Sequence, residues 1–481
     1  MERIWTTELA DHVGERVLLK GWLHRLRQLS HVTFLVLRDA QGTAQIVIDD
    51  TQLAAQLAAL QAESLLSIQG EVVAEPQAPG GVEIHQPQIE VLVAVQEPPP
   101  LELFRPTLKA QLPTILDHAP VALRHLRQRA IFQLSSAAMN GFRDTLRARK
   151  FVEIQTPKIV GAATEGGANV FRIDYFDRSA YLSQSPQLYK QIMVGVFERV
   201  FEVGPAFRAE PHDTPRHINE FVSLDAEIGF IRDHFEVMAL LAEVLRGVFA
   251  TMQQEAETAL AQLKVQLPML PETVPTLHFS EALELVARET GADVTQAVDL
   301  SGADERVLGT WALREHNSDF VFVWGYPTQQ RAFYTHPDPE RPFYSRGFDL
   351  IFRGLELVSG AQRLHRYEEY LTALAVRGMP TESFVGYLEA FRHGMPPHGG
   401  FAIGLERLLA RLIEAPNIRE TTLFPRDLTR LTPGGRSQES GVRIQKAKAA
   451  PLTLTPLPKR ERASDERPDA DSFLYRWGAK K

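Results

Sequence analysis

Between Phe201 and Phe230 the chain reads FEVGPAFRAEPHDTPRHINEFVSLDAEIGF. Arg208, Phe221 and Asp225 in this stretch have side chains suited to a nucleotide held beside an amino acid. A guanidinium forks onto paired phosphate oxygens. A phenyl ring offers a face on which a base can stack, and a carboxylate can hold an ammonium group. The same residues also permit a plainer structure, an exposed hairpin whose charges pair with each other. Farther along stand Asp349, Glu356, Ser359 and Arg363 in FDLIFRGLELVSGAQRLHR, then Gly404 and Arg407 in GGFAIGLER. Two carboxylates are hard oxygen ligands suited to Mg²⁺ held partly by phosphates. Taken singly, they would equally serve as surface ion pairs.

These side chains need elements to position them. Period-two alternation predicts two strands joined by the polar loop Pro211 to Asn219. Ala206, Arg208 and Glu210 share one face of the first arm; Phe221, Ser223, Asp225 and Glu227 share one face of the second. Ile131, Leu134, Ala138, Phe142 and Leu146 recur at helical spacing and predict an amphipathic helix over 128–150. It leads into a predicted strand at 151–157. RDHFEVMALLAEVLRGVFATMQQ and SEALELVARETG predict two more helices, the second ended by Gly291, and DFVFVWGYP an apolar strand. Closer to the start, 15–50 alternates as three strands with a turn at Gln41-Gly42. A helix over 51–64 follows, then strands SLLSIQGEVVAE and QIEVLVAV separated by the turn-rich 76–81. Five short strands with a helix after the third is the layout of an OB-fold barrel. The run Pro98-Pro99-Pro100 cannot extend a helix or a central strand.

The 481 residues, 44% of them hydrophobic, suffice for two or three cores. The chain has no cysteine, which excludes a disulfide framework, a thiolate nucleophile and a cysteine metal site. The start, MERIWTTELADHVGERV, lacks an apolar core, and no apolar run reaches the ~18 residues of a membrane span. A cytoplasmic protein with no membrane partner is the expectation. A net charge of −8 speaks against broad nucleic-acid binding, so any RNA contact must rest on local charge. The segment 20–38 supplies it, with Lys20, Arg25, Arg27 and Arg38.

FRAE, a short loop, His217 and Glu220-Phe221 resemble motif 2 of the class II aminoacyl-tRNA synthetases, and VSLDAEIGF resembles the aspartyl branch of subclass IIb. FVEIQTP at 151–157 is similar to motif 1, GGFAIGLER to motif 3, and GWLHRLRQLSHVTFLVLRD to the anticodon-binding barrel of that subclass. The resemblance implies an α+β protein. An N-terminal OB-fold β-barrel at 1–104 and a linker at 105–129 would precede a class II catalytic domain at 130–433, an antiparallel sheet flanked by helices. The short stretch between motifs 2 and 3 matches the compact archaeal-type aspartyl enzymes. Past Pro433 the resemblance stops, and the polar, Pro-rich 434–481 predicts a disordered tail.

The resemblance also implies roles. Arg208 and Arg407 are the catalytic cations. Glu210, His217, Phe221, Glu356 and Gly404 complete the ATP site, with Phe221 under the adenine and His217 toward the β- and γ-phosphates. Asp349, Glu356 and Ser359 hold Mg²⁺. Glu165, Gln187, Lys190, Asp225, Ser359 and Arg363 bind L-aspartate, Lys190 and Arg363 converging on its side-chain carboxylate. Phe34 stacks on an anticodon base, as single-stranded RNA favours, beside Gln45 and Glu90. From its strand pattern alone, Phe34 could equally be a barrel core residue.

The implied activity is ATP-dependent joining of aspartate to tRNA through aspartyl-adenylate, by a homodimer whose interface is motif 1. His31 and Pro87, the latter in the facing loop, resemble the non-discriminating form. That form charges both tRNA-Asp and tRNA-Asn, and an amidotransferase then converts the mischarged product. A discriminating aspartyl enzyme, an asparaginyl enzyme, a synthetase-like paralogue that does not charge tRNA and a non-catalytic RNA-binding relative are the alternatives. Two cations facing one carboxylate favour aspartate, since a neutral amide would leave them unbalanced. Lys190→Leu is therefore expected to abolish aspartate-dependent pyrophosphate exchange with the fold intact; normal exchange would refute the assignment.

Overall fold

The computed structural model describes residues 1–29, 32–161, 170–211, 213–294 and 296–432, with the backbone of 435–436. The expectations for His31, Glu165 and, apart from 435–436, the 434–481 tail lie outside the described residues.

The first five strands, β1 (Arg16–Gln28), β2 (Thr33–Arg38), β3 (Thr43–Ile48), β4 (Leu65–Ala74) and β5 (Val82–Val93), close a barrel in the order β1-β2-β3-β5-β4. Alternation sends Leu19, Leu35, Leu37, Ile46, Ile68 and Ile84 inward, all at most 1% exposed. The helix α1 (Thr51–Ala58) follows β3, capped by the Asp50 carboxylate on Gln52 and Leu53 N–H. It stops short of the predicted Ser64. The chain turns instead to carry Glu63, at φ 71°, under the barrel. There Glu63 takes two hydrogen bonds from Arg38, 2.8 and 2.7 Å, and an ion pair from Arg124 at 3.2 Å. β5 begins at Val82, earlier than expected, because the turn before it closes on Gly80 and Gly81, both at positive φ. Pro87 is not in a loop. It lies within β5, where Gln86 and Pro87 together oppose Gly70; a bulge is where a strand tolerates a residue with no N–H.

The predicted linker at 105–129 carries two short helices, α2 (Leu112–Asp117) and α3 (Ala119–Ala122), and the next helix begins within it at Leu126; Ala122 packs on Leu101 and Leu103. Arg129 then ties the barrel down by donating to the carbonyls of Asp39 and Ala40.

The remainder runs α4 (Leu126–Ala148), β6 (Val152–Glu153), β7 (Ile159–Val160), β8 (Arg172–Tyr175), β9 (Arg178–Leu182), α5 (Gln187–Phe197), β10 (Arg199–Phe207) and β11 (Glu220–Gly229). After these come α6 (His234–Glu255), α7 (Glu257–Leu263), β12 (Thr276–His278), α8 (Phe279–Thr290), α9 (Gly302–His316) and β13 (Phe320–Trp324). The chain closes with β14 (Gly347–Phe352), β15 (Leu355–Gln362), α10 (Tyr367–Val376), α11 (Val385–Arg392), β16 (His398–Gly404) and α12 (Leu405–Leu412).

One eight-stranded sheet orders these strands β12-β13-β14-β15-β16-β11-β10-β6. It is antiparallel at its centre, as expected, with parallel pairs only at the two ends, β12 with β13 and β6 with β10. Helices α4 and α6 pack on one face over Leu134, Phe142, Leu241 and Leu245. Gly141 lets the two approach: a Cβ there would stand 2.7 Å from Val248 Cα. The predicted strand at 151–157 shrinks to two residues. Thr156 and Lys158 turn away to satisfy the buried Glu202 carboxylate, at 2.7 and 2.6 Å.

Glu63→Gln should remove the only charge within hydrogen-bond reach of the buried Arg38 among the described residues. A loss of roughly 3 kcal/mol is expected, read as a lower midpoint for barrel unfolding in urea; an unchanged midpoint would contradict the role given to this pair.

Candidate active site and nucleic-acid interface

The nucleotide side of the site is a cleft between β10, β11, β15 and the start of α12. Arg208, Glu210, His217 and Phe221 line it with Glu356, Ser359, Gly404 and Arg407. β10 ends at Phe207, so Arg208 and Glu210 leave the strand rather than continuing its face as expected. Arg208 N–H bonds the Asn219 carbonyl at 2.9 Å, closing the loop. The Arg208 guanidinium carbon then stands 5.2 Å from the Phe221 ring centre. His217 shares a 2.6 Å hydrogen bond with the Thr214 hydroxyl. Arg407, one turn into α12, donates to the Glu356 carbonyl at 3.1 Å. Beside it the buried Glu406 accepts the Val222 N–H with both oxygens at 3.0 Å, fixing α12 against β11. Burial pushes the Glu406 carboxyl up to about 7.

Asp349 and Ser359 sit directly opposite each other on β14 and β15. Arg331 takes both Asp349 oxygens, at 2.9 and 2.6 Å, and the Ser359 hydroxyl at 3.1 Å. Burial, and after it the charge of Asp349, pushes Glu356 up to about 7. Glu305 of α9 accepts the Glu356 N–H at 2.8 Å, and burial raises its carboxyl too.

The second half of the site lies beneath. Gln187 and Lys190 open α5, Asp225 and Glu227 lie on β11, and Arg363 follows β15. The Lys190 ammonium reaches Asp225 at 2.9 Å, Glu227 at 3.4 Å and the Phe401 carbonyl at 3.3 Å. Arg363 donates to Glu227 at 3.0 Å, Gln187 at 3.1 Å and the Gly400 carbonyl at 3.1 Å. Burial alone would raise the Glu227 carboxyl, but Arg363 and Lys190 outweigh it and hold it below its ordinary range. Among the described residues one other group could offer three metal ligand atoms, His336, His365 and Glu369, within 4.8 Å of one another.

On the barrel, Phe34 is half-buried and faces outward, since Leu35 and Leu37 fill the core. Arg27 lies 5.9 Å from its ring centre and donates to Gln45 at 2.8 Å. Gln45 donates to Glu83 at 3.0 Å, and Glu83 meets His85 at 2.7 Å.

Residues 112–428 match the family described as tRNA synthetases class II (D, K and N), and residues 17–92 match the OB-fold nucleic acid binding domain. The chain belongs to this synthetase family. An aspartate--tRNA(Asp/Asn) ligase of Thermus thermophilus is 46% identical over 90% of this chain and all of its own length. One of Archaeoglobus fulgidus, with the same name, is 41% identical over 90% and 100%. Among solved structures, asparaginyl-tRNA synthetase from Pyrococcus horikoshii with asparaginyl-adenylate superposes with a TM-score of 0.83 at 30% identity, covering 90% of this chain and 100% of that one. Aspartyl tRNA synthetase from Entamoeba histolytica gives 0.80 at 31% identity, over 90% and 93%.

The synthetase fold is thus common to aspartyl and asparaginyl enzymes, and the pocket revises three expectations. First, Lys190 and Arg363 are not two unopposed cations. Asp225 and Glu227 already balance them, two against two, so charge imbalance alone does not select aspartate over asparagine. Second, Lys190 is 1% exposed. Lys190→Leu would leave the buried Asp225 without its cation, while Glu227 keeps Arg363, at a cost of roughly 3–5 kcal/mol, so the fold would not be left untouched as expected. Third, Glu90 lies opposite Ser67 on β4, while Glu83, opposite Gln45 on β3, accepts the Gln45 side-chain hydrogen bond.

Arg331, Glu305 and Glu83 carry no signal of period or spacing. Glu227 was visible as a neighbour of Asp225 on one strand face. The oxygen set of Asp349, Glu356 and Ser359 fits Mg²⁺: two acids share one site, and Glu356 is held up by burial and by Asp349. Since Arg331 neutralises Asp349, Glu356 is the carboxylate a cation would relieve.

Glu406 gives a pH dependence. The folded carboxyl keeps its proton to about pH 7 while the unfolded one loses it near 4.5. Stability therefore falls as pH rises through that window, by roughly 3 kcal/mol for a shift of this size. Glu406→Gln should flatten part of the decline between pH 4.5 and 7 in urea titrations, and an unaltered slope would contradict the buried-carboxyl account.

Proposed function

We propose that this chain joins L-aspartate to tRNA at the expense of ATP, and that it accepts both tRNA-Asp and tRNA-Asn. The observation that carries this assignment is the match along the full length of relatives named aspartate--tRNA(Asp/Asn) ligase. Catalysis is chiefly positioning and charge stabilisation. Aspartate lies over Gln187, Lys190 and Arg363, with Asp225 and the Gln187 amide toward its ammonium group and Ser359 at the pocket edge. Its α-carboxylate attacks the α-phosphorus in line, forming aspartyl-adenylate and releasing pyrophosphate. Arg208 neutralises charge growing at the α-phosphate while Phe221 stacks the adenine and Glu210 meets its amino group. Arg407 and His217 hold the outer phosphates, with Gly404 allowing close approach. Mg²⁺, held by Glu356 with Ser359 and Asp349, would offset phosphate charge. The tRNA ribose hydroxyl then attacks the aspartyl carbonyl, forming the ester as the bond to the adenylate phosphate breaks and AMP leaves.

Specificity for aspartate is assigned to directional hydrogen bonds from Lys190 and Arg363 rather than to net charge. Each has a donor held by protein acceptors, so a ligand carboxylate meets an oriented array. On the barrel we assign anticodon contact to Phe34, Gln45 and Glu83 by stacking and hydrogen bonding. Pro87, two residues past His85, and His31 are assigned to the third anticodon base. A homodimer is proposed through motif 1, since β6 is an edge strand with Val152 exposed; sedimentation of a monomer alone would refute it. Charging tRNA-Asn implies an amidotransferase in the same cell, and the tRNA substrates imply a cytoplasmic site. No helix among the described residues is long and apolar enough to cross a membrane.

The deciding experiment is aspartylation of purified tRNA-Asp and tRNA-Asn transcripts. Comparable charging is expected, and replacing both His31 and Pro87 should cut tRNA-Asn charging more than tRNA-Asp charging. Charging of tRNA-Asp alone would make this a discriminating enzyme; charging of neither would overturn the proposed function.

A further inference from the structure

Beside the nucleotide cleft runs a second, larger groove. Five arginines line it: Arg216 from the loop after β10, Arg306 on α9, Arg353 in the turn between β14 and β15, and Arg407 and Arg411 on α12. Its carboxylates are Asp319 and Glu414, an excess of three positive charges, five less two. Asp319 is already bound to Arg353 at 3.0 Å.

We propose that this groove is a second subsite for linear phosphate chains, taking the pyrophosphate released in aspartate activation and, equally, free tripolyphosphate. As far as pyrophosphate is concerned, the proposal rests on the function given above.

Three observations carry it. The groove adjoins the nucleotide cleft, and Arg216, Arg407 and Ile418 line both. Arg216 and Arg407 are therefore within reach of an anion on either side. The cations are also fixed on rigid backbone. Arg353 and Gly354 both take positive φ in a tight turn, and α9 packs directly on it: a Cβ at Gly309 would lie 2.5 Å from Gly354 N. Arg411 donates to the Arg353 carbonyl, while its Nε is buried without a hydrogen-bond partner. A buried donor left unpaired is costly, and a phosphate oxygen would supply the acceptor.

The like charges are felt as well. Burial, followed by the charge of Arg353, lowers the proton affinity of Arg411; Glu414 partly offsets this, and Arg216 and Arg306 add to it. Cations gathered at this cost are relieved by a ligand of high charge density. An RNA strand is a poorer occupant, since the lining contains no aromatic side chain on which a base could stack.

The test uses the full-length protein and the Arg306→Gln/Arg411→Gln double variant. Tripolyphosphate affinity by calorimetry and the inhibition constant of pyrophosphate against adenylate formation should both weaken roughly tenfold, the size expected for losing a charge-assisted bond. KM for ATP and the rate of tRNA aspartylation should stay within about twofold. The Arg306→Lys/Arg411→Lys variant should keep most of the affinity. Unchanged phosphate binding in the Gln variant overturns the proposal, as does equal loss in the Lys and Gln variants, which would mark a packing effect. Weakened tRNA binding with phosphate affinity unchanged would also overturn it and give the groove to the RNA backbone. If the wild-type protein activates no aspartate, the proposed function fails, yet the tripolyphosphate titration still decides the groove.

Discussion

Lys190, Asp225, Glu227 and Arg363 are four charged side chains, each at most 5% exposed, gathered at the centre of the large sheet. Removing any one leaves an uncompensated charge in a medium that solvates it poorly. They come from α5, β11 and the end of β15, and the carbonyls of Phe401 and Gly400 on β16 complete their hydrogen bonds. Four elements must therefore hold one register before the charges are satisfied. Such a network is stable only when complete, which makes it a strong constraint on how the strands align.

That constraint explains why the site is built as it is. Polar clamps repeat around it at smaller scale. Glu406 holds the start of α12 to β11 through the Val222 N–H, and this sets Arg407 over the cleft. Arg331 crosses to Asp349 and Ser359, tying the loop before β14 to the paired strands. Arg124, just before α4, and Arg129, in its first turn, reach to Glu63 and Asp39 of the barrel. Each clamp joins segments far apart in sequence, so the cleft walls are positioned by the whole catalytic sheet and not by the loops that carry them.

The pocket also bears on how similar folds separate similar amino acids. Superposition on asparaginyl and aspartyl enzymes alike shows that backbone layout does not decide between aspartate and asparagine. Nor does net charge, because Asp225 and Glu227 cancel Lys190 and Arg363 before any ligand arrives.

Much of this was legible in the sequence. Alternating apolar residues and turn-formers determined the five barrel strands, the two arms around the loop, and the helices over 126–148 and 234–255. Local periodicity suffices there, because each element buries one face whatever its neighbours are. The motif residues of the cleft were named from their resemblance to the class II synthetase motifs, and the structure brings Arg208, His217, Phe221, Glu356 and Arg407 together. What only the tertiary structure decided are the pairings between non-consecutive elements. Glu83 rather than Glu90 meets Gln45, because β3 pairs with β5 across the barrel. Helix α1 ends early because Glu63 is needed by Arg38, and Arg331 and Glu305 are drawn into the site by strands and a helix far from the motifs. A buried charge chooses its partner by three-dimensional proximity, and one-dimensional periodicity holds no record of that choice.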